Sequence, residues 1–238
     1  MAHPNAERFW DERARENAFY FVDNRLDYRN SDAEAFWAGG YEVLARILKM
    51  VELEIAPRET VLDIGCGVGR MTRALAAKAD RVIAIDVSGE MLARAREMNP
   101  QLANVEWIHG DGRSLRPVDD ASVDACFSWV VFQHVPDREV IFAYIREMAR
   151  VLKPGGWTVF QVSTSPTVHD ARPGIGQRLK GALRIGPRGQ ADPAWLGSSV
   201  DTRALRRVLK TSGLDIEAML EPNTQFTTVR ARRRADAG

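Results

Sequence analysis

The chain has 238 residues, enough for one sizeable hydrophobic core and too few for two generous domains. With 45% hydrophobic and 27% charged residues, global disorder and collagen-like repeats are excluded. Lys plus Arg total 33 against 32 Asp plus Glu, so the formal net charge of +1 gives no overall pull toward nucleic acid or an anionic membrane.

Apolar runs such as Val130 to Phe132 fall far short of the roughly 18 residues a membrane span needs. The first residues alternate charges without the apolar stretch of a secretory signal. Cys66 and Cys126 are too few for a disulfide framework or a cysteine-rich zinc site. These bounds predict a soluble cytoplasmic protein, monomer or homodimer, with no nucleic-acid or membrane partner.

In chain order, Asn5 caps a predicted helix through Asn17. Ser31 with Glu34 has capping-box spacing before a second helix to about Leu53. Val43, Leu44, Ile47, Leu48 and Val51 recur on one face of it, and Gly39-Gly40 predicts a kink or two shorter helices. Short apolar runs over Thr60 to Ile64, Arg81 to Asp86, Val105 to His109, Val123 to Trp129 and Trp157 to Ser163 read as strands. Helical stretches lie between them: Arg70 to Lys78, Gly89 to Met98, and Arg138 to Leu152 with Asp137 as its cap. The alternation predicts an α/β fold with a parallel sheet covered on both faces. Pro154-Gly155-Gly156 reads as the turn into the fifth strand.

Thr164 to Val200 holds six Gly, four Pro, five Arg/Lys and two Asp, with a short helix predicted near Gln177 to Leu183. A loop of this length and composition points to function or disorder. A helix over Asp201 to Thr211 follows, then strands over Leu214 to Leu220 and Gln225 to Arg232 joined by Glu221-Pro222-Asn223-Thr224, so the sheet is expected to finish antiparallel.

The segment Val61-Leu-Asp-Ile-Gly-Cys-Gly-Val-Gly-Arg70 carries the most chemistry. A buried strand ends in a carboxylate, and three glycines at alternate positions turn the chain into a helix. Glycine permits left-handed angles and close approach of a ligand, and the helix start presents free amides. The dinucleotide fingerprint requires a wider third spacing than Gly65, Gly67 and Gly69 provide. An acid just before the first glycine suits a ligand carrying positive charge.

Asp63 to Gly69 resembles the first motif of class I S-adenosylmethionine-dependent methyltransferases. Four further segments follow in the family's order: VIAID ending at Asp86 with Ser88 to Leu92 after it, His109 to Gly112, Val123 to Ser128, and Leu152 to Gly156. The resemblance spans about Thr60 to Ser163. It implies a Rossmann-like, seven-stranded, mostly parallel sheet with an antiparallel last strand, helices on both faces and an N-terminal helical lid. The expected division is a helical cap over residues 1–55 and a methyltransferase domain over 56–238, with the insert at about 164–200 near the acceptor.

S-adenosyl-L-methionine is the implied cofactor. Asp63, Gly65, Cys66, Gly67, Gly69 and Arg70 form the implied elbow around it. Asp86 would accept from both ribose hydroxyls with Val87 beside it, Met91 would touch the adenine, and Asp111 with Gly112 would meet its amino group, while Ser128 ends the fourth strand. Asp63 and Asp86 are expected exposed at adjacent strand ends, with Asp63 either meeting the amino-acid end or holding the turn. Cys66 reads as a small residue fitting the turn.

The implied activity is methyl transfer to a small-molecule acceptor, with a hydroxylated metabolite, sugar or natural-product intermediate as the leading class. His134 is the first candidate general base; it reads equally as a structural histidine capping the helix near Asp137. His169 in the insert is the second candidate, while His109 shapes the adenine pocket. Phe127 to Val135 contains no acid, so no catalytic metal is expected, and Ser128 to Val131 lacks the Asn/Asp-Pro-Pro-aromatic run of amide and base nitrogen methylation. Carbon or nitrogen transfer without a histidine, and a non-catalytic binding subunit, are the alternatives. Trp10, Phe19, Tyr20 and Tyr28, interleaved with Arg13, Arg15 and Arg25, read either as part of a lid or as helices docked on the sheet. Arg172, Arg178, Lys180, Arg184 and Arg188 read as a solvated face or an acid-binding set.

Overall fold

The computed structural model describes residues 6–167 and 192–235. Seven strands, β1 (Thr60–Ile64), β2 (Arg81–Asp86), β3 (Val105–His109), β4 (Val123–Ser128), β5 (Leu152–Val162), β6 (Leu214–Leu220) and β7 (Thr227–Arg233), form one sheet ordered β3-β2-β1-β4-β5-β7-β6. β1 to β5 pair in parallel, whereas β7 runs antiparallel to both β5 and β6. The expected antiparallel strand is therefore β7, and it sits inside the sheet because the last hairpin folds back against β5.

Among the described residues the helices are α1 (Ala6–Val22), α2 (Ala33–Met50), α3 (Arg70–Ala76), α4 (Gly89–Met98), α5 (Arg138–Val151), α6 (Pro193–Leu196) and α7 (Thr202–Thr211). Strand residues alternate between two faces. Leu62, Ile64, Ile83 and Ile85 pack with Ile141, Ile145 and Met148 of α5 and Leu205 and Leu209 of α7. Val61, Val82, Phe127 and Val159 pack with Val43, Leu44 and Ile47 of α2 and Leu75 of α3. No helix among the described residues is long and apolar enough to cross a membrane.

Several boundaries differ from the sequence reading, each for a local reason. α1 bends at Asn17 and continues to Val22; the Asn17 side chain accepts from Tyr20 N at 3.1 Å and donates to the Tyr28 carbonyl at 2.8 Å. Asp32 rather than Ser31 caps α2, taking Glu34 N and Ala35 N, while Ser31 Oγ donates to the Asp27 carbonyl. α2 ends at Met50 and runs through Gly39-Gly40 as one helix. These glycines serve packing: an added Cβ would lie 2.8 Å from Arg70 Nη2 at position 39 and 2.6 Å from the Arg70 carbonyl at position 40. β5 starts at Leu152, so Pro154-Gly155-Gly156 lies within it; the register to β4 jumps from Val123↔Leu152 to Ala125↔Trp157, and the surplus residues bulge out. The helix expected near Gln177, the five basic residues of the insert, His169 and the cap Asn5 lie outside the described residues.

Candidate active site

The strand order reverses between β1 and β4, where open α/β sheets bind ligands at the carboxyl ends of their strands. A cavity of about 530 Å³ opens there. Of the residues singled out in the sequence, Gly65, Gly67, Asp86, Val87, Met91, Asp111, Gly112 and His134 line it. Ala6, Glu7, Trp10, Phe21 and Val22 of α1 add an outer wall. That wall is anchored by Asp11, which accepts from Ser88 Oγ at 2.6 Å and from Glu90 N at 3.1 Å at the start of α4.

Asp86 closes β2 with its carboxylate held from two sides, Oδ2 by Gly67 N at 2.7 Å and Oδ1 by Ser88 N at 2.8 Å. Burial raises its pKa above the usual carboxylate value, opposed by those two amides. Asp111 accepts from Arg113 N, Ser114 N and Ser114 Oγ at 2.7–2.8 Å. Partial burial works against its charge, but those hydrogen bonds win and hold its carboxyl below the usual value. His109 Nε2 meets the Val87 carbonyl at 3.0 Å and Glu7 Oε1 at 3.2 Å, which joins β3 to the loop after β2 and to α1.

Asp63, Cys66, Gly69, Arg70 and Ser128 do not line this cavity. Contrary to the expected exposure, Asp63 is 2% exposed under the elbow, where Thr72 Oγ1 donates to it at 2.6 Å. Asp63, Cys66 and Arg70 border a recess of about 40 Å³ that shares Val22, Gly65, Trp129 and Val130 with the main cavity. Arg70 turns away to pair with Asp23 at 2.8 Å and to donate to the Phe36 carbonyl, so it fastens the N-terminal helices to α3. Ser128 Oγ donates to the Ile64 carbonyl at 3.0 Å and ties β4 to β1. Gly69 begins α3 at φ +91°, with Trp107 and Asn99 filling the space a Cβ would need. Burial raises the Cys66 thiol well above its ordinary value, which suits a small turn residue and not a nucleophile.

Burial, together with the neighbouring Asp86, pushes Asp63 up to about 7 although Thr72 opposes it. The fold therefore binds this proton more tightly than the unfolded chain does. The resulting stability is present below about pH 4 and is lost as pH rises through about 7. Asp63→Asn keeps an acceptor for Thr72 and carries no charge. It should gain a few kcal/mol of unfolding free energy at about pH 8 and almost none at about pH 4. Equal gains in urea titrations at the two pH values would refute the assignment; Asp86, shifted in the same direction, leaves part of the slope in place.

His134 ends a 3-10 turn over Phe132–His134, and Asp137, not His134, caps α5. Its Nδ1 lies 2.9 Å from the Trp195 carbonyl and its ring packs against Trp10 and Trp195. Gly197, at φ +62°, brings the segment after α6 against this turn: an added Cβ would fall 1.6 Å from the Gln133 carbonyl oxygen. Gly197→Ala should cost about 3 kcal/mol, since a backbone clash has no rotamer to relieve it. An unchanged denaturation midpoint would show that α6 does not pack as described.

Sequence reasoning missed several contributors. Trp129, Val130 and Val131 line the cavity, with Val130 at φ +58°, an angle nothing in its β-branched side chain announces. Tyr144 lines it from α5; burial, with Asp111 and Asp86 nearby, raises its phenol above the ordinary value. Gln133, within the 3-10 turn, lies beside His134 Nε2, and Gln161 on β5 donates to Gln133 Oε1. No group of three or more His, Cys, Asp or Glu side chains among the described residues is arranged to hold a metal ion.

Comparison with known proteins agrees with this architecture. The family model described as a methyltransferase domain matches residues 62–160. Trans-aconitate 2-methyltransferase of Azoarcus sp. is 37% identical over 136 residues, covering 54% of this chain and 51% of the relative. Demethylmenaquinone methyltransferase of Staphylococcus aureus is 34% identical over 122 residues, covering 50% and 49%. The chain spans about half or less of the length of the curated relatives it matches. A solved S-adenosylmethionine-dependent methyltransferase from Mesorhizobium loti superposes with a TM-score of 0.61 at 27% identity, covering 83% of this chain and all of that one. Residues 62–160 thus match a methyltransferase domain, and the chain shares its fold with solved S-adenosylmethionine-dependent methyltransferases.

Proposed function

We propose that this protein transfers the methyl group of S-adenosylmethionine to an oxygen of a hydroxylated small molecule in the cytoplasm, with His134 as general base. One observation carries the reading: a single cavity has the Asp86 carboxylate and the glycine elbow on one wall and the His134 imidazole on another. Its volume, about 530 Å³, is in the range of small-ligand sites. The relatives are named for trans-aconitate and demethylmenaquinone, both small molecules.

The residues present fit the cofactor. Gly65 and Gly67, at φ +75° and +55°, keep Cβ atoms out of the elbow, and Asp86 offers acceptors for vicinal hydroxyls. Met91 adds apolar contact, while Glu7, Asp86 and Asp111 give the wall a negative field suited to a cation. When bound, S-adenosylmethionine supplies an electrophilic methyl group on a sulfonium. The protein's part is to orient and to exclude water. Trp10, Phe21 and Val22 close the cavity as a lid, and positioning of this kind is worth roughly 7–11 kcal/mol. The His134 imidazole takes the hydroxyl proton, for which its nitrogen lone pair is suited near neutral pH.

The experiment is a mass-spectrometric screen of hydroxylated small molecules incubated with the protein and S-adenosylmethionine. An acceptor gaining one methyl on oxygen, with S-adenosylhomocysteine formed in equal amount, is the expected result. Methylation only at carbon or nitrogen would overturn the oxygen assignment, and absence of cofactor binding would overturn the whole reading.

A further inference from the structure

Gln133 and Gln161 are buried, 8% and 0% exposed, on the 3-10 turn and on β5. Their amides form a chain whose ends are backbone groups of fixed polarity. Val130 N–H can only donate, so it faces Gln161 Oε1 at 3.1 Å. The Gln225 carbonyl can only accept, so it faces Gln161 Nε2 at 2.6 Å. The same nitrogen donates to Gln133 Oε1 at 2.9 Å, which turns Gln133 Nε2 toward His134 Nε2 at 3.3 Å. Across the ring, Nδ1 lies 2.9 Å from the Trp195 carbonyl, again an acceptor only. Reversing any one amide would oppose two donors or two acceptors somewhere along the chain. The single arrangement consistent with both ends puts the imidazole proton on Nδ1 and the lone pair on Nε2.

We propose that Gln133 and Gln161 are positioning residues that hold His134 as its Nδ1–H tautomer, with Nε2 as the basic nitrogen, and couple that tautomer to the Val130 turn. Val130 makes the coupling matter, because it lines the cavity at φ +58°, a backbone angle that a β-branched residue adopts only when its surroundings hold it. Gln161 supplies part of that hold through the Val130 amide and, by the same side chain, fixes which way Gln133 points. The wall residue and the base are thus set by one amide. The kinetic consequence rests on the base assignment proposed above, whereas the tautomer does not.

The test is nitrogen NMR of the full chain labelled with 15N-histidine, in alkaline buffer where imidazole is neutral. The His134 signals are identified by their loss in His134→Ala. The expected wild-type spectrum has a protonated Nδ1 and an unprotonated Nε2; a proton on Nε2 overturns the proposal, and that measurement needs no other variant to fold. In Gln133→Glu, a carboxylate oxygen replaces the amide donor opposite Nε2, so the proton should move to Nε2. Turnover should then fall about 10²-fold with the KM for S-adenosylmethionine within about twofold of wild type. An unchanged His134 spectrum in this variant would overturn the role of Gln133. If the tautomer is as stated while His134→Ala transfers methyl at the wild-type rate, the base reading fails and the positioning assignment survives.

Discussion

Asp86→Ala is expected to weaken binding of S-adenosylmethionine by about 10²–10⁴-fold. Hydrogen bonds from hydroxyls to a carboxylate are worth about 1.5–3 kcal/mol each, and a ribose edge offers two. The geometry favours the upper part of that range, because Gly67 N and Ser88 N hold the carboxylate in place before any ligand arrives. No side chain has to be ordered on binding, so little of the interaction is spent on entropy. Asp111→Ala should cost less, since an adenine amino group offers it one hydrogen bond where the ribose edge offers Asp86 two. Calorimetry with S-adenosylmethionine and with S-adenosylhomocysteine, alongside a melting curve of each ligand-free variant, separates lost contacts from lost fold. Binding by folded Asp86→Ala within about threefold of wild type would remove Asp86 from the ribose.

What the sequence made legible follows from how local each signal is. β1, β2, α4 and β3 were readable to the residue because each is bounded by its own turn or cap, such as Ser88, which accepts from Met91 N at the start of α4. Asp86, Gly65 and Gly67 were readable for the same reason: strand end and elbow lie within one short stretch, and the backbone there dictates where they face. Asp63 and Arg70 share that stretch, yet their side chains turn to Thr72 and Asp23, contacts that depend on how the helices settle. The continuity of α2 through Gly39-Gly40 was likewise hidden, because its cause is the Arg70 backbone and guanidinium, thirty residues away. Gln133, Gln161, Gln225 and Trp195 had no signature at all. Their meeting needs β5, the last hairpin and α6 to converge on one turn, and no spacing rule encodes that convergence.

His134→Ala should lower turnover by about 10²–10⁴-fold with little change in cofactor affinity, the range expected for loss of a positioned general base. Asp86 and the elbow, not the imidazole, are assigned to the cofactor, so the loss should appear in kcat and in acceptor kinetics. Lost packing has to be separated from lost chemistry, because the ring contacts Trp10 and Trp195. His134→Phe keeps an aromatic ring there and removes both nitrogens, including the one that meets the Trp195 carbonyl. If the nitrogen lone pair matters, Phe should be as inactive as Ala; if packing alone matters, Phe should restore most of the rate. The contact from Gln133 to Nε2 is long, 3.3 Å, so an acceptor hydroxyl can take its place with little loss. Turnover of His134→Ala within about tenfold of wild type would assign proton removal elsewhere and favour carbon or nitrogen as the methylated atom.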